Sequence, residues 1–323
     1  MRKVHSFYVG YTISHSETVN MPVTAPKVVS IILFLTVVLL VVWFVSDGYI
    51  RSEQSTLPLI KSFGNEKEAD KMVYRFTSEH VSRDLNVVEL LIQQRNNASK
   101  KANQLQQKIG QMQCENLAKL PREHTSRTGG WCLQESKEDS GKHVTDKVLA
   151  EGLAELFKGT RVASFGDGPG RYKQLIEDSG KHVTYDAYDG APYCEETSKG
   201  RVKFLDLTLP QYGLPMYDWV ISLEVAEHLP GEYERVSVDS LHRHTRVGVV
   251  LSWAVPGQGG YAHINNRPFD YVVNIMKEKG LYYDPEKSDY LKKTAQVDWL
   301  KRNINVYLRR NSTKSDFVEK LFI

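Results

Sequence analysis

The pattern of apolar and polar positions changes three times along the chain. Residues 28–46, VVSIILFLTVVLLVVWFVS, carry no charge. At the α-helical rise, a stretch of this length nearly crosses a hydrocarbon layer of about 30 Å. The pattern predicts a transmembrane helix over 28–46, bounded by Lys27 on one side and by Asp47, Gly48 and Arg51 on the other, with Trp43 and Tyr49 suited to the interface. A cleaved signal peptide is the alternative, but its apolar core is shorter and ends in a small-residue cleavage site. Over 84–115, Val88, Leu91, Ala98, Ala102, Leu105, Ile109 and Met112 step by threes and fours, with Arg95 interrupting the seam. That spacing predicts a helical, coiled-coil-like stem whose partner is a second copy of the chain, ahead of a solvated helix packing on its own domain.

After Asp146, short β-branched runs alternate with amphipathic segments, which predicts an α/β domain with a doubly wound, mostly parallel sheet covered on both faces. Strands are expected at 161–165, 182–189, 202–206, 218–223, 247–253 and 304–309, and helices at 147–158, 172–178, 231–245 and 269–279. The organisation is an N-terminal tail (1–27), the spanning helix (28–46), a helical stem and linker (47–140), the α/β domain (141–310) and a C-terminal tail (311–323).

Composition narrows the function. Lys and Arg number 42 against 39 Asp and Glu, a net charge of +3, so the basic excess of a dedicated nucleic-acid binder is missing. Three cysteines without a CxxC pair exclude a zinc ribbon and a thioredoxin-type centre. In an oxidising lumen Cys114 pairs either with Cys132 or with a second stem, which leaves Cys194 free. Positive-inside counting barely prefers a cytoplasmic N-terminus, but the sequons at Asn97 and Asn311 both follow the apolar stretch. Together they point to a type II, single-pass protein of the ER or Golgi with its long C-terminal part in the lumen.

The strand RVASF runs into GDGPG and places Gly166, Gly168 and Gly170 at its carboxyl end before a helix. Glycines there let backbone approach a ligand closely. About twenty residues on, HVTYDAYD ends at Asp189, positioned to accept hydrogen bonds from ribose hydroxyls, with Asp186 as its rival. VKFLD then brings Asp206 and Leu207 to the same edge, next to an adenine. Glu224, Glu227 and His228 stand at i, i+3 and i+4, so on a helical turn starting at Glu224 they share one face. Two carboxylates and an imidazole suit a divalent metal ion, and His228 without a metal suits a general base. A third reading is acids at a helix N-terminus with a hydrogen-bonded histidine. The loop LSWAVPGQGGYAHINNRP offers Trp253, Gln258, His263, Asn265 and Asn266 to a hydroxylated acceptor.

With FGDGPG, YDGA, FLDLT and YDWVISLEVAEHLP in order, residues 145–310 resemble class I S-adenosylmethionine-dependent methyltransferases, and the last motif resembles the fourth strand of small-molecule and sugar O-methyltransferases. The resemblance implies a seven-stranded methyltransferase sheet and S-adenosyl-L-methionine held by Gly166, Gly168, Asp189, Asp206 and Leu207. Ser222 to Val225 would flank the reacting methyl group. Glu224, Glu227 and His228 are similar to the Glu-x-x-Glu-His metal site of ubiquinone-pathway and small-RNA methyltransferases. The chain departs from the pattern at Ser164, where the family usually has an acid. The expected activity is O-methylation of a glycan or small hydroxylated acceptor. The rivals are a cytosol-facing methyltransferase acting on a lipid, protein or RNA, and a catalytically silent anchored interaction protein.

Overall fold

The computed structural model describes residues 66–118, 125–132 and 143–309, with side chains from residue 86 onward. The stretch 28–46 and the sequon at Asn311 lie outside the described residues. Among the described residues no helix is long and apolar enough to cross a membrane. The chain divides into two compact units, Met1–Asp84 and Leu85–Ile323. The second contains all the strands among the described residues.

Seven strands form one sheet: β1 (Arg161–Phe165), β2 (Thr184–Asp189), β3 (Val202–Phe204), β4 (Tyr217–Leu223), β5 (Thr245–Ser252), β6 (Leu281–Asp284) and β7 (Asn305–Arg309), in the order β3-β2-β1-β4-β5-β7-β6. β1 to β5 are parallel, and β7 runs antiparallel to both β5 and β6. The mostly parallel, doubly wound sheet implied by the resemblance is what forms. The sequence pattern misses β6, four residues at the sheet edge, together with the helices Pro285–Thr294 and Asp298–Asn303 that lead into β7. Side-chain alternation divides the core between the two faces. Val162, Ile221, Val250 and Val306 face one layer, with Leu149, Leu153, Ile176, Leu291 and Leu300 from helices. Ala163, Phe165, Val249 and Tyr307 face the other, with Val238, Leu241, Val272 and Met276. The strand order reverses between β1 and β4, and that reversal opens a crevice at their carboxyl ends.

One buried carboxylate ties together two elements of the first layer. Asp146 caps the helix Lys147–Leu156 by accepting from Leu149 N (2.9 Å), and its other oxygen accepts from Gln296 N (2.5 Å) and Val297 N (2.8 Å). Losing it strands three backbone donors, at about 1–3 kcal/mol for each one left unpaired in the interior. Asp146→Ala is therefore expected to lower unfolding stability by about 3 kcal/mol, read as a lower urea midpoint with an unchanged slope.

Beyond Leu85, the long helix α1 (Glu66–Leu117) packs against the sheet domain through its polar side chains. Asn103 donates to Phe204 O (2.9 Å) and accepts from Asp206 N (2.9 Å), so its amide pairs with edge strand β3 as a neighbouring peptide would. Gln107 and Gln111 both donate to Pro192 O, and Ser99 bonds Pro210 O and Tyr212 N. Gly110 allows close contact, since a Cβ there would lie 2.7 Å from Pro192 Cγ. The seam residues Leu91, Leu105, Ile109 and Met112 face solvent instead. The helix thus packs on its own domain, the reading ranked second from sequence, but does so with the face opposite the apolar seam. A disulfide joins Cys114 to Cys132, with a Cα–Cα distance of 5.2 Å, and Cys194 is free and buried.

Candidate active site

A cavity of about 870 Å³ opens at the carboxyl ends of β1, β2 and β4. Gly166, Gly168, Asp189, Asp206 and Leu207 all line it, as do Glu224, His228, Gln258 and His263. The β1 turn is shaped by close contacts. Gly166 has φ 101°, and a Cβ on it would lie 2.2 Å from Val225 Cγ2. The amides of Gly166 and Asp167 both donate to Tyr188 O, at 2.8 and 3.0 Å. Gly170 is set back from the cavity as the left-handed residue before the helix Arg171–Glu177.

Asp189 ends β2 with its carboxylate at the turn, where Oδ2 accepts from Gly168 N (2.8 Å) and Oδ1 from Ala191 N (2.7 Å). Each oxygen keeps a lone pair, which is what a ribose diol requires. The rival Asp186 pairs instead with Arg161 (2.9 Å) and accepts from Tyr217 Oη. Asp206 Oδ1 accepts from Thr208 N (2.8 Å) and Thr208 Oγ1 (2.7 Å). Asp206 Oδ2 is buried without a formed hydrogen bond, although Thr128 and Gln106 lie beside the carboxyl group. Burial raises the Asp206 carboxyl above the usual range. A buried acceptor left open beside Leu207 fits the amino group of an adenine. These residues therefore fit an adenosyl cofactor. Ser222 does not reach the cavity, because its hydroxyl donates to Phe165 O (2.8 Å) and ties β4 to β1.

Ser164 has a structural explanation. It lines the cavity and its hydroxyl bonds the carboxyl group of Asp167, three residues further along the chain. Asp167 is buried, accepts from Tyr185 Oη (3.1 Å) and Lys173 N (3.3 Å), and lines the same wall. Burial pushes its carboxyl up to about 7. An acid therefore lines the cavity from the loop after β1.

The expected common face of Glu224, Glu227 and His228 does not form. Glu224 takes φ 53° and the short 3-10 turn begins only at Ala226. Glu224 points to Gln258 Nε2 (2.9 Å) and Asn303 Nδ2 (3.3 Å). Glu227 is fully buried without a formed hydrogen bond on either carboxylate oxygen, although the Glu224 carboxyl group and the Ala254 backbone lie beside it. Burial, with the Glu224 charge adding to it, drives its carboxyl well up. Glu227, His228 and His263 each place a ligand atom within 4.8 Å of the others. A divalent ion therefore fits Glu227, His228 and His263, with His263 where Glu224 was expected. His228 Nδ1 lies 3.3 Å from Ala262 O, which can only accept, so Nδ1 carries the proton and Nε2 keeps its lone pair. Burial pushes the imidazole down to about 4, and the adjoining His263 adds to that shift.

Three residues expected to bind acceptor are structural. Trp253 is buried and donates to Asn265 O (2.7 Å), while Asn265 donates to Ala226 O (3.4 Å) and Glu234 Oε2 (3.3 Å). Asn266 spans the loop by donating to Val255 O and Gln258 O, both at 2.9 Å. Trp131, His143, Tyr261 and Trp299 also line the cavity, outside the residues that the sequence motifs single out. Of these, Trp131 carried a readable signal, the glycine pair before Trp and Cys in TGGWC.

No model of a protein family matches the chain, and no curated protein matches it. Among solved structures it is similar to a magnesium protoporphyrin IX methyltransferase from Synechocystis with bound SAM, at 18% identity and a TM-score of 0.37 over 50% of this chain and 76% of that one. It is also similar to a TehB-like SAM-dependent methyltransferase from Corynebacterium glutamicum, at 14% identity and a TM-score of 0.41 over 53% and 91% of the two chains. A sugar N-methyltransferase from a Streptoalloteichus species gives 12% identity and a TM-score of 0.41 over 54% and 91%. These are likenesses of fold.

Proposed function

We propose that the chain is an S-adenosylmethionine-dependent O-methyltransferase for a glycan or other small hydroxylated acceptor, anchored through 28–46 in an ER or Golgi membrane with its catalytic domain in the lumen. The observation that carries the activity is the meeting of Gly166, Asp189, Asp206 and His228 on one cavity. The Cys114–Cys132 disulfide supports an oxidising compartment. The solvent-facing seam of Leu91, Leu105, Ile109 and Met112 supports a homodimer through 84–115.

When bound, S-adenosylmethionine supplies an electrophilic methyl group on a sulfonium. Asp206 and Leu207 would hold the adenine, Asp189 the ribose, and Asp167 the ammonium of the methionine end. His228 Nε2 would take the acceptor hydroxyl proton as that oxygen accepts the methyl group. Most of the rate comes from holding the two reactants aligned. Incubating the full chain with methyl-labelled cofactor and fractionated glycans tests this reading. Label in a glycan fraction supports it, whereas label confined to lipid, protein or RNA moves the acceptor to the cytosol-facing alternative.

An imidazole pushed down to about 4 is a weak base, and this favours a metal-assisted version of the step. Glu227, His228 and His263 would hold the ion, which would lower the acceptor hydroxyl's pKa. Calorimetric titration of chelator-stripped protein with Mn²⁺ alone should show one site that Glu227→Gln and His263→Ala remove. Stripped protein that binds no Mn²⁺, Mg²⁺ or Zn²⁺ and turns over fully would leave His228 as an unassisted base.

Asp167 gives this reading a pH dependence. An ammonium favours the ionised carboxyl, so affinity for S-adenosylhomocysteine should rise with pH by at most tenfold per unit up to about pH 7 and level off above it. Tyr185 and Lys173 bond Asp167, with Asp189 and Tyr172 also near it. Comparison with Asp167→Asn, in which the slope should flatten, isolates its contribution.

A further inference from the structure

Thr128, Gly129, Gly130 and Trp131 line the cavity although they belong to no strand or helix of the sheet domain. The segment that carries them is internally ordered. Ser126 N donates to Gly130 O (2.7 Å), Gly130 N to Ser126 Oγ (3.1 Å) and Gly129 N to Ser126 O (3.0 Å), and Thr125 bridges Trp131. Its glycines seat backbone against backbone. A Cβ on Gly129 would lie 2.4 Å from the carbonyl oxygen of His228, and one on Gly130 would lie 2.0 Å from that of Gly190. These two contacts are with the residue after Asp189 on the cofactor side and with the proposed base on the acceptor side. Trp131 spans the same gap, its ring 4.7 Å from His143 and meeting His228 and Tyr261 edge-on at 6.0 and 5.7 Å. Thr128 reaches the Asp206 carboxyl group. The segment is fastened to α1 by Arg127 N donating to Gln113 Oε1 (3.1 Å) and by the Cys114–Cys132 bond.

We propose that the segment Thr125–Cys132 is a built wall of the methyl-transfer site, and that the Cys114–Cys132 disulfide holds this wall closed over cofactor and acceptor. The identity of the ligands rests on the function proposed above, but the wall does not. One hydrogen bond to α1 is a weak tether for eight residues, whereas a covalent link removes the competing open arrangements. Opening needs a dithiol. It delivers two electrons and two protons, Cys114 and Cys132 become thiols, and the dithiol leaves as its own disulfide.

The test uses the full chain in three forms: oxidised wild type, wild type reduced with dithiothreitol, and Gly130→Ala with its disulfide intact. Hydrogen exchange is followed at 125–132, 189–191 and 226–230, and S-adenosylhomocysteine is titrated calorimetrically. Reduction should speed exchange in all three segments at least tenfold and weaken S-adenosylhomocysteine at least tenfold. Gly130→Ala should reproduce the loss of affinity without any reductant. Equal exchange in the oxidised and reduced forms overturns the proposal, as does faster exchange with unchanged affinity. If oxidised wild type binds no S-adenosylhomocysteine, the methyltransferase reading fails, and exchange at 189–191 and 226–230 alone decides whether the wall rests on the site. Iodoacetamide trapping should label Cys114 and Cys132 after reduction. It should spare Cys194, which is buried with its thiol pushed up.

Discussion

Gly166→Ala is expected to remove measurable S-adenosylhomocysteine binding and to cost about 3 kcal/mol of stability. Two effects act together. Gly166 holds φ 101°, where an L side chain costs about 1–3 kcal/mol. The new methyl group would also sit 2.2 Å from Val225 Cγ2, and overpacking of this kind costs about 1–3 kcal/mol. Relief requires either the turn or the 225–228 segment to move, and both line the cavity. Calorimetric titration should show affinity lower by at least about 100-fold, the equivalent of two charge-assisted hydrogen bonds at about 1.5 kcal/mol each. Thermal unfolding checks the stability loss. A variant with wild-type affinity would mean that the β1 turn does not shape the cofactor site.

Asp189→Ala is expected to lower affinity by a similar factor for a different reason. The carboxylate joins the glycine turn to the end of β2 through Gly168 N and Ala191 N and still offers lone pairs to a diol. Alanine removes both ligand bonds and leaves two amides without their partner. Ligand dissection separates these losses. Adenosine, which keeps the diol, should lose affinity as strongly as S-adenosylhomocysteine, while adenine, which lacks it, should lose only the part due to the loosened turn. Equal losses for all three would assign Asp189 to structure alone.

The parts of the fold that rest on strong periodicity could be read from the sequence. β1 is found at 161–165 as expected, and the glycine turn and the carboxylates that end β2 and follow β3 occupy the predicted edge. β6 escaped because LYYD is four residues long and pairs antiparallel at the sheet's edge. At the site, sequence spacing misled where backbone geometry broke the regular pattern. Glu224 was placed on a helical face, but its left-handed φ turns it toward Gln258 and Asn303. Trp253 and Asn265 have the chemistry of acceptor ligands, yet the Trp253 indole bonds the Asn265 carbonyl and the Asn265 amide bonds Ala226 O and Glu234 within the fold. Trp131 reaches the cavity through a disulfide and two backbone contacts, and no periodicity encodes these. The α1 helix was legible as a helix, but its docking face was not, because amides of Asn and Gln made the contact while the apolar seam stayed outside.

A crystal structure of the oxidised protein soaked with S-adenosylhomocysteine tests the central claim most directly. The account predicts the adenine amino group on Asp206 Oδ2, the ribose hydroxyls on Asp189, the ammonium facing Asp167, and the sulfur turned toward His228. Density for the ligand elsewhere, or a cavity filled by Tyr172, Trp131 and the Gly257–Tyr261 loop with no ligand bound, would contradict it.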